Sequence, residues 1–505
     1  MSETGFSRRH FFFGSLLAGA VPAGGFGSTA SLRMLGYKSP LEKLNIASIG
    51  AGGKAASDIR NCALTENIVA LCDVDDRQAA KTYKEYDKVP KYKDFRKMLD
   101  QEDKSIDAVI VSIPDHMHAI AAVWAMERGK HVYVQKPLTR TVWEARWLAE
   151  TAAKYKVATQ MGNQGYSCEG TRQLAEMIWS GEIGAVTEVH AWTDRPLWPQ
   201  GLTAIPPPDS APSTLDWDLW LGGASARPYT SGGSGYPNEY GYFYQPFNWR
   251  GFYDFGCGAL GDMACHILGA ANLALRLSAP VSVECLHKDS PSPFMYPARS
   301  VIRYDFPARG SMGPVKIYWY DGLKETPRIP GVPEGEILGD PPHATPPKGA
   351  DGKPIPPPAT GYVGHVFDWA DWRKMLAEDP PARKPKPDGS VFIGEKGIIT
   401  TGTYGEDTRL IPVEKMADYR FPAELLTRSP GHYRDWIRAA KGGEPSCSNF
   451  SIAAPFTEWM LLGTIALRLE GKLEWDNAKM RFTNNAEANQ YLKPAFRKGW
   501  GAGKA

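Results

Sequence analysis

An amine, a carboxylate and an imidazole stand out in this chain: Lys136 in Gln135-Lys136-Pro137, and Asp262 and His266 in Asp262-Met263-Ala264-Cys265-His266. Asp262 and His266 are spaced i and i+4, which puts both on one face of a helix. An imidazole whose unperturbed pKa lies near working pH can take a proton from a hydroxyl. A lysine ammonium at the same centre stabilises a developing alkoxide, and in the reverse direction polarises a carbonyl. Asp262 can orient His266, relay its proton or hold a hydroxyl of the reactant. As metal ligands the pair falls short, because no third ligand has a recognisable spacing; no metal site is expected.

The elements that must position these groups begin with an apolar strand, Leu44 to Ile49, that runs straight into Gly50-Ala51-Gly52-Gly53-Lys54-Ala55 and then a helix over Ala56 to Ala63. This is a G-x-G-x-x-A turn. Gly50, Gly52 and Gly53 lack Cβ atoms, so the turn can tighten and the backbone can approach phosphate, with free N–H groups at the helix start facing the charge. A second strand, Asn67 to Cys72, ends at Asp73, which lies 23 residues after Gly50. A carboxylate there accepts from the adenosine ribose hydroxyls and repels a 2′-phosphate, which favours NAD over NADP. Arg77 nearby could accommodate that phosphate, so NADP stays open. Strands over 106–113, 131–134 and 157–161 alternate with helices over 116–128 and 141–155, the rhythm of a doubly wound parallel sheet whose ligands sit at the strands' carboxyl ends. Lys136 lies at such an end.

Together these motifs resemble the Gfo/Idh/MocA family of NAD(P)-dependent oxidoreductases. The resemblance rests on the glycine turn, Pro114-Asp115-His116-Met117-His118, Gly129-Lys130-His131-Val132 leading to Gln135-Lys136-Pro137, and the stretch Gly256 to His266 with its Gly-rich-D-x-x-x-H pattern. It implies that Lys136, Asp262 and His266 line the site beside the nicotinamide, with Pro114, His118 and Gln135 joining the glycines and Asp73 around the cofactor. The family triplet is E-K-P; here Gln135 replaces the glutamate, which alters contacts near the nicotinamide ribose or the pKa of Lys136.

After about Gly162 strands cluster without long helices between them, at 185–192, 281–286, 300–306 and 315–319. The expected architecture is therefore α/β: an N-terminal doubly wound Rossmann domain over 43–162, then an α+β domain over 163–480 with a large, mostly antiparallel sheet. The resemblance implies that one face of that sheet joins another subunit in a homo-oligomer. A proline-rich stretch over 322–387 reads as a surface insertion, lid or arm, and 481–505 as a C-terminal tail. A long loop carries Trp198, Trp217, Trp220, Tyr236, Tyr240, Tyr242 and Tyr244 before Trp249-Arg250. Aromatic faces stack on sugar C–H faces, although in long loops they commonly just pin the loop to its domain. Candidate substrate contacts are Asn163, Gln164, Tyr166, Trp249 and Arg250.

Ser7-Arg8-Arg9-His10-Phe11-Phe12-Phe13 and the apolar run to Val21 resemble a twin-arginine export signal over 1–33. The run is shorter than the ~20 residues needed to span a bilayer. It points to the twin-arginine machinery as a partner and to a periplasmic or otherwise extracytoplasmic site of action, with membrane tethering if the signal is retained. NAD is scarce outside the cytoplasm, so the cofactor is expected to be tightly held and recycled. The 58 basic and 56 acidic side chains nearly balance, which removes a nucleic-acid signature. Three functions compete: hydride transfer between nicotinamide and a carbohydrate, sugar derivative or polyol; a glycosidase or lyase acting by transient oxidation and elimination, as in related branches of the family; and a catalytically silent sugar-binding protein.

Overall fold

The computed structural model of the protein describes residues 42–340 and 388–501. The export run and residues 341–387 of the proline-rich stretch lie outside the described residues. Strands β1 (Asn45–Ile49), β2 (Asn67–Cys72), β3 (Lys91–Tyr92), β4 (Ala108–Val111), β5 (His131–Val134) and β6 (Thr159–Met161) form one sheet. Its order is β3-β2-β1-β4-β5-β6 and every pairing is parallel. The chain reverses its direction of winding between β1 and β4, which is where a ligand crevice opens in such sheets. The glycine turn leaves β1 at that point. Short strands such as Ala108–Val111, buried along their whole length, need cover on both faces.

The second sheet contains β7 (Val186–Trp192), β8 (Ser282–Asp289), β9 (Arg299–Phe306), β10 (Val315–Asp321), β11 (Gly389–Gly394), β12 (Ile398–Thr401), β13 (Arg409–Ile411), β14 (Lys472–Asp476) and β15 (Arg481–Phe482). The order is β13-β12-β11-β7-β10-β9-β8-β14-β15, antiparallel except for β7 beside β10. Alternating burial along β9 and β10 presents one face to the core, where Ile302, Tyr304, Ile317 and Trp319 pack with Trp459 and Leu462 of the helix Phe450–Ala466. That helix also lies against Val142–Tyr155 of the first domain. One continuous core therefore runs through both sheets.

Two expected boundaries differ from the spatial ones. The helix His432–Ala440, far down the chain, returns to the first sheet and buries Tyr433, Trp436 and Ile437 against Ile46, Ile110 and Tyr133. Apolar cover for that face is thus borrowed from a segment some 270 residues beyond Gly162. Residues 481–501 are no loose tail either: β15 pairs with β14, Trp500 is buried, and Arg497 reaches the carbonyls of Asp218 and Gly222. The described start of the proline-rich stretch packs Ile329 and Leu338 onto Trp192 and Val391 of the second sheet.

Candidate active site

The glycine turn is built for a close approach. Gly50 has φ +95° and its missing side chain faces the carbonyl of Ser112, the residue that follows β4; a Cβ on Gly52 would lie 2.6 Å from the Gln78 carbonyl. Gly53, at φ +50°, has open space where its side chain would be. It begins the helix Gly53–Ala63, whose N-terminus has no side-chain cap and no acidic residue in its first turn. Uncapped N–H groups at the positive end of a helix, beside an open glycine face, suit a pyrophosphate. The Asp73 carboxylate lies across the turn, accepting from the backbone N–H groups of Ala51 at 2.9 Å, Gly52 at 3.2 Å and Asp75 at 3.0 Å. Burial raises its pKa and those three N–H donors oppose the rise. Arg77 is occupied by Asp75 and lies over the Tyr242 ring. The donor set fits NAD.

From this turn a cleft of roughly 440 Å³ runs past Pro114 and Gln135 to Lys136, with Phe247, Trp249 and Arg250 on its far wall. At its end the Lys136 ammonium donates to Asp262, 2.9 Å to Oδ1 and 2.9 Å to the main-chain carbonyl. Arg250 Nε donates to the same Oδ1 at 3.1 Å, and Arg195 lies 4.0 Å from Oδ2. Burial alone would raise the pKa of Asp262, but the Lys136 and Arg250 charges hold it well below the usual carboxylate range. Asp262 is a fixed anion and holds no proton to relay.

Asp262 lies within a π-helical turn, Leu260–Ala264, that passes into α-helix at Cys265. The regular helix expected from the spacing is therefore widened at this point, a local insertion common at functional sites. Asp262 turns to Lys136 and Arg250 instead of to His266. His266 is buried with its Nδ1 unpaired, and its ring meets Tyr404 edge to face at 4.8 Å. Burial, reinforced by the Lys136 charge, keeps His266 neutral far below its ordinary pKa. A neutral imidazole carries one N–H and one bare nitrogen, and the tautomer that leaves Nδ1 bare can accept a proton from a reactant hydroxyl.

Several expected contacts lie elsewhere. His118 is fully buried between two cleft turns, its ring nitrogens 2.7 Å from the Ile113 carbonyl and 2.9 Å from the Pro137 carbonyl, and as a neutral imidazole it donates to one of them; it is not among the residues that line the cleft. Tyr166 is in the core, its hydroxyl accepting from Asn272 at 2.6 Å, and Asn163 is buried beside Cys265 and Ser448. Neither faces the cleft. Gln164 opens a short 3₁₀ turn, Gln164–Ser167, that leads to the helix Glu169–Trp179. Gln135 donates its amide to Asp58 at 2.8 Å. Asp58 is buried and also accepts from Ser112 at 2.7 Å, Lys54 at 2.8 Å and Tyr433 at 2.6 Å. Four donors on two oxygens are the partners of an ionised carboxylate.

The aromatic loop forms a small core of its own. Trp217 and Trp220 stack at 4.9 Å, and Phe243, Tyr244, Phe252 and Phe255 close around them. Trp198 and Tyr240 pack on Phe247, and Tyr236 on Phe243. The loop also bonds back to the first domain, with Asp76 N donating to the Thr214 carbonyl and Asp216 N to the Val74 carbonyl. Leu219, Trp220 and Gln245 of this loop line the cleft together with Asp73. Arg195, Tyr404 and Asp58 are the residues that motif reading missed. Only Asp58 carried a local signal, as a polar residue on the buried side of an otherwise amphipathic helix.

Residues 44–163 match the Gfo/Idh/MocA profile described as "Oxidoreductase family, NAD-binding Rossmann fold", and 182–292 match "Oxidoreductase family, C-terminal alpha/beta domain". Among curated proteins, a "Glycosyl hydrolase family 109 protein" of Solibacter usitatus (strain Ellin6076) is 31% identical over 185 residues, 34% of this chain and 41% of that protein. An "Inositol 2-dehydrogenase" of Salmonella typhimurium is 30% identical over 152 residues, 29% of this chain and 45% of its own length. The chain thus spans less than half the length of these relatives. The fold is shared with GenD2 from gentamicin A biosynthesis, solved with NAD (TM-score 0.51, 15% identity, 90% of this chain and 100% of that one). It is also shared with the WlbA dehydrogenase from Bordetella pertussis, solved with NADH and UDP-GlcNAcA (TM-score 0.51, 13% identity, 86% and 99%).

Proposed function

We propose that this chain, whose residues 44–163 and 182–292 match the two Gfo/Idh/MocA oxidoreductase profiles, is a member of that family and transfers hydride between a nicotinamide and a CH–OH group of a carbohydrate, sugar derivative or polyol. One observation carries the reading: the Lys136–Asp262 ion pair, 2.9 Å long, closes the same cleft that begins at the uncapped glycine turn, with the unpaired His266 on the next helical turn. NAD, when bound, supplies the hydride acceptor. Gly50, Gly52 and Gly53 would hold its pyrophosphate and Asp73 its ribose hydroxyls. Neutral His266 takes the hydroxyl proton, and Lys136, oriented by the ionised Asp262, stabilises the negative charge that develops on the same oxygen. The aromatic loop along the cleft favours a cofactor that is retained between turnovers. The arginine pair Arg8-Arg9 supports export with that cofactor already bound.

A second reading has its own support. Relatives named as glycosyl hydrolase family 109 proteins and as an alpha-N-acetylgalactosaminidase align with part of this chain. Oxidation of a ring carbon acidifies the adjacent C–H, so the same Lys136 and His266 could serve transient oxidation followed by elimination, with no net redox change. Purified protein, loaded with NAD and mixed with sugars, polyols and glycosides while reduced nicotinamide and products are followed together, tests both. A keto product with lasting reduction supports the dehydrogenase; a cleaved glycoside with only transient reduction supports the glycosidase. Reduction that persists unchanged in Lys136→Ala and His266→Ala refutes the site.

A further inference from the structure

Two guanidiniums converge on the reacting end of the cleft, and the carboxylate they share cannot satisfy both. Arg250 spends its Nε on Asp262 at 3.1 Å and one terminal nitrogen on the Phe247 carbonyl at 3.2 Å. Its plane is fixed against Phe247 and Trp249, with the guanidinium carbon 4.0 and 4.3 Å from the ring centroids. Arg195 Nε is buried with no hydrogen-bond partner; the nearest carboxylate, Asp194, lies 3.5 Å away as a loose ion pair. With five N–H donors on each guanidinium and none accepting, the surplus calls for a group that only accepts.

Charge points the same way. Lys136, Arg195 and Arg250 face Asp262 and the partly exposed Asp194. Two further carboxyls near the site are held towards their neutral forms. Burial pushes Asp115 up to about 7, with Arg250 acting against it, and burial, aided by the Asp340 charge, pushes Glu406 well above the usual carboxylate range. An oxidised nicotinamide would add one more positive charge. A neutral sugar offers hydroxyls that both donate and accept, and leaves the excess uncompensated. A carboxylate or phosphate accepts from planar guanidiniums in pairs of parallel hydrogen bonds.

We infer that the substrate is a sugar carrying an anionic group, a carboxylate or a phosphate, anchored by Arg195 and Arg250 so that a neighbouring CH–OH faces Lys136 and His266. This rests on the hydride-transfer reading for its chemistry, but its test does not. NAD-loaded full-length protein is titrated calorimetrically with D-glucuronate, D-galacturonate and glucose 6-phosphate, and with D-glucose and D-galactose as neutral parents. Absorbance of reduced nicotinamide is recorded on the same mixtures.

At least one acidic sugar is expected to bind roughly 10- to 100-fold more tightly than its parent, the scale of a charge-assisted hydrogen-bond pair. Arg195→Gln should collapse the acid-to-neutral ratio, and Arg195→Lys should restore part of it; a merely structural role would lower both affinities together and leave the ratio alone. Preference for the uronates or for the phosphate identifies the anion. Equal affinity for neutral parents, a ratio unmoved in Arg195→Gln, or no binding of any acidic sugar overturns the inference. Acid-selective binding without reduction upholds the anchor and counts against hydride transfer. Reduction by neutral hexoses alone does the opposite.

Discussion

Replacing Gln135 by glutamate restores the residue expected at this position of the E-K-P triplet, yet here it should harm the protein. The Gln135 amide nitrogen lies 2.8 Å from Asp58 Oδ2, and both side chains are buried. Glutamate puts a second carboxylate at that distance and removes a hydrogen bond. Two like charges centred about 4 Å apart repel by about 4 kcal/mol at an effective dielectric constant near 20. Protonation of one of them relieves this, so the folded-state pKa of the introduced glutamate rises above the unfolded value of about 4.3, and at about 1.4 kcal/mol per unit the rise is roughly three units. The sign follows: the variant should be close to wild type below about pH 4.5 and lose stability steadily up to about pH 7, where the loss levels off near 4 kcal/mol. Urea or thermal unfolding of wild type and Gln135→Glu at pH 5 and pH 8 measures the difference directly. Asp58→Asn in the Gln135→Glu background returns the pair to one amide and one carboxylate, and should recover most of the loss at pH 8. A Gln135→Glu penalty that is the same at both pH values, or that Asp58→Asn deepens, would refute the pairing.

Lys136→Ala and His266→Ala should each lower turnover by roughly 10²–10⁴-fold with NAD affinity changed far less, measured by single-turnover absorbance and by nucleotide titration. Gly52→Val sets a side chain against the Gln78 carbonyl, 2.6 Å from the new Cβ, and should weaken NAD binding by about tenfold or more while a calorimetric scan still shows a cooperative unfolding transition. Burial raises Asp115 to about 7, so wild-type stability falls from about pH 4 up to that value and levels off above it; Asp115→Asn should match wild-type stability near pH 4 and exceed it at pH 8 in melting experiments. Tyr404→Ala removes the ring that packs on His266, an edge-to-face pair worth about 0.5–1.5 kcal/mol, and should lower turnover up to about tenfold and shift its pH profile.

The residues of the first domain could be read before any folding, because their signals are local. Buried parallel strands make short apolar runs, a helix that receives phosphate needs glycines at its start, and Asp73 and Lys136 gain their meaning from standing at strand ends. The mostly antiparallel character of the second sheet was readable from strands that follow one another without long helices between them. What the linear pattern left unresolved are contacts between segments that nothing in the sequence links. Asp58 meets Tyr433 across 375 residues and Gln135 across 77. His266 meets Tyr404 from a hairpin between β12 and β13, and Arg195 joins Arg250 from opposite ends of the aromatic loop. The spacing of Asp262 and His266 placed both on one helix; it could not say that the helix widens into a π turn there, nor that Lys136 and Arg250 claim the carboxylate. Local geometry follows from steric and hydrogen-bonding preferences that each stretch carries with it. A buried charge is decided only when distant donors are packed around it, and that is a property of the assembled fold.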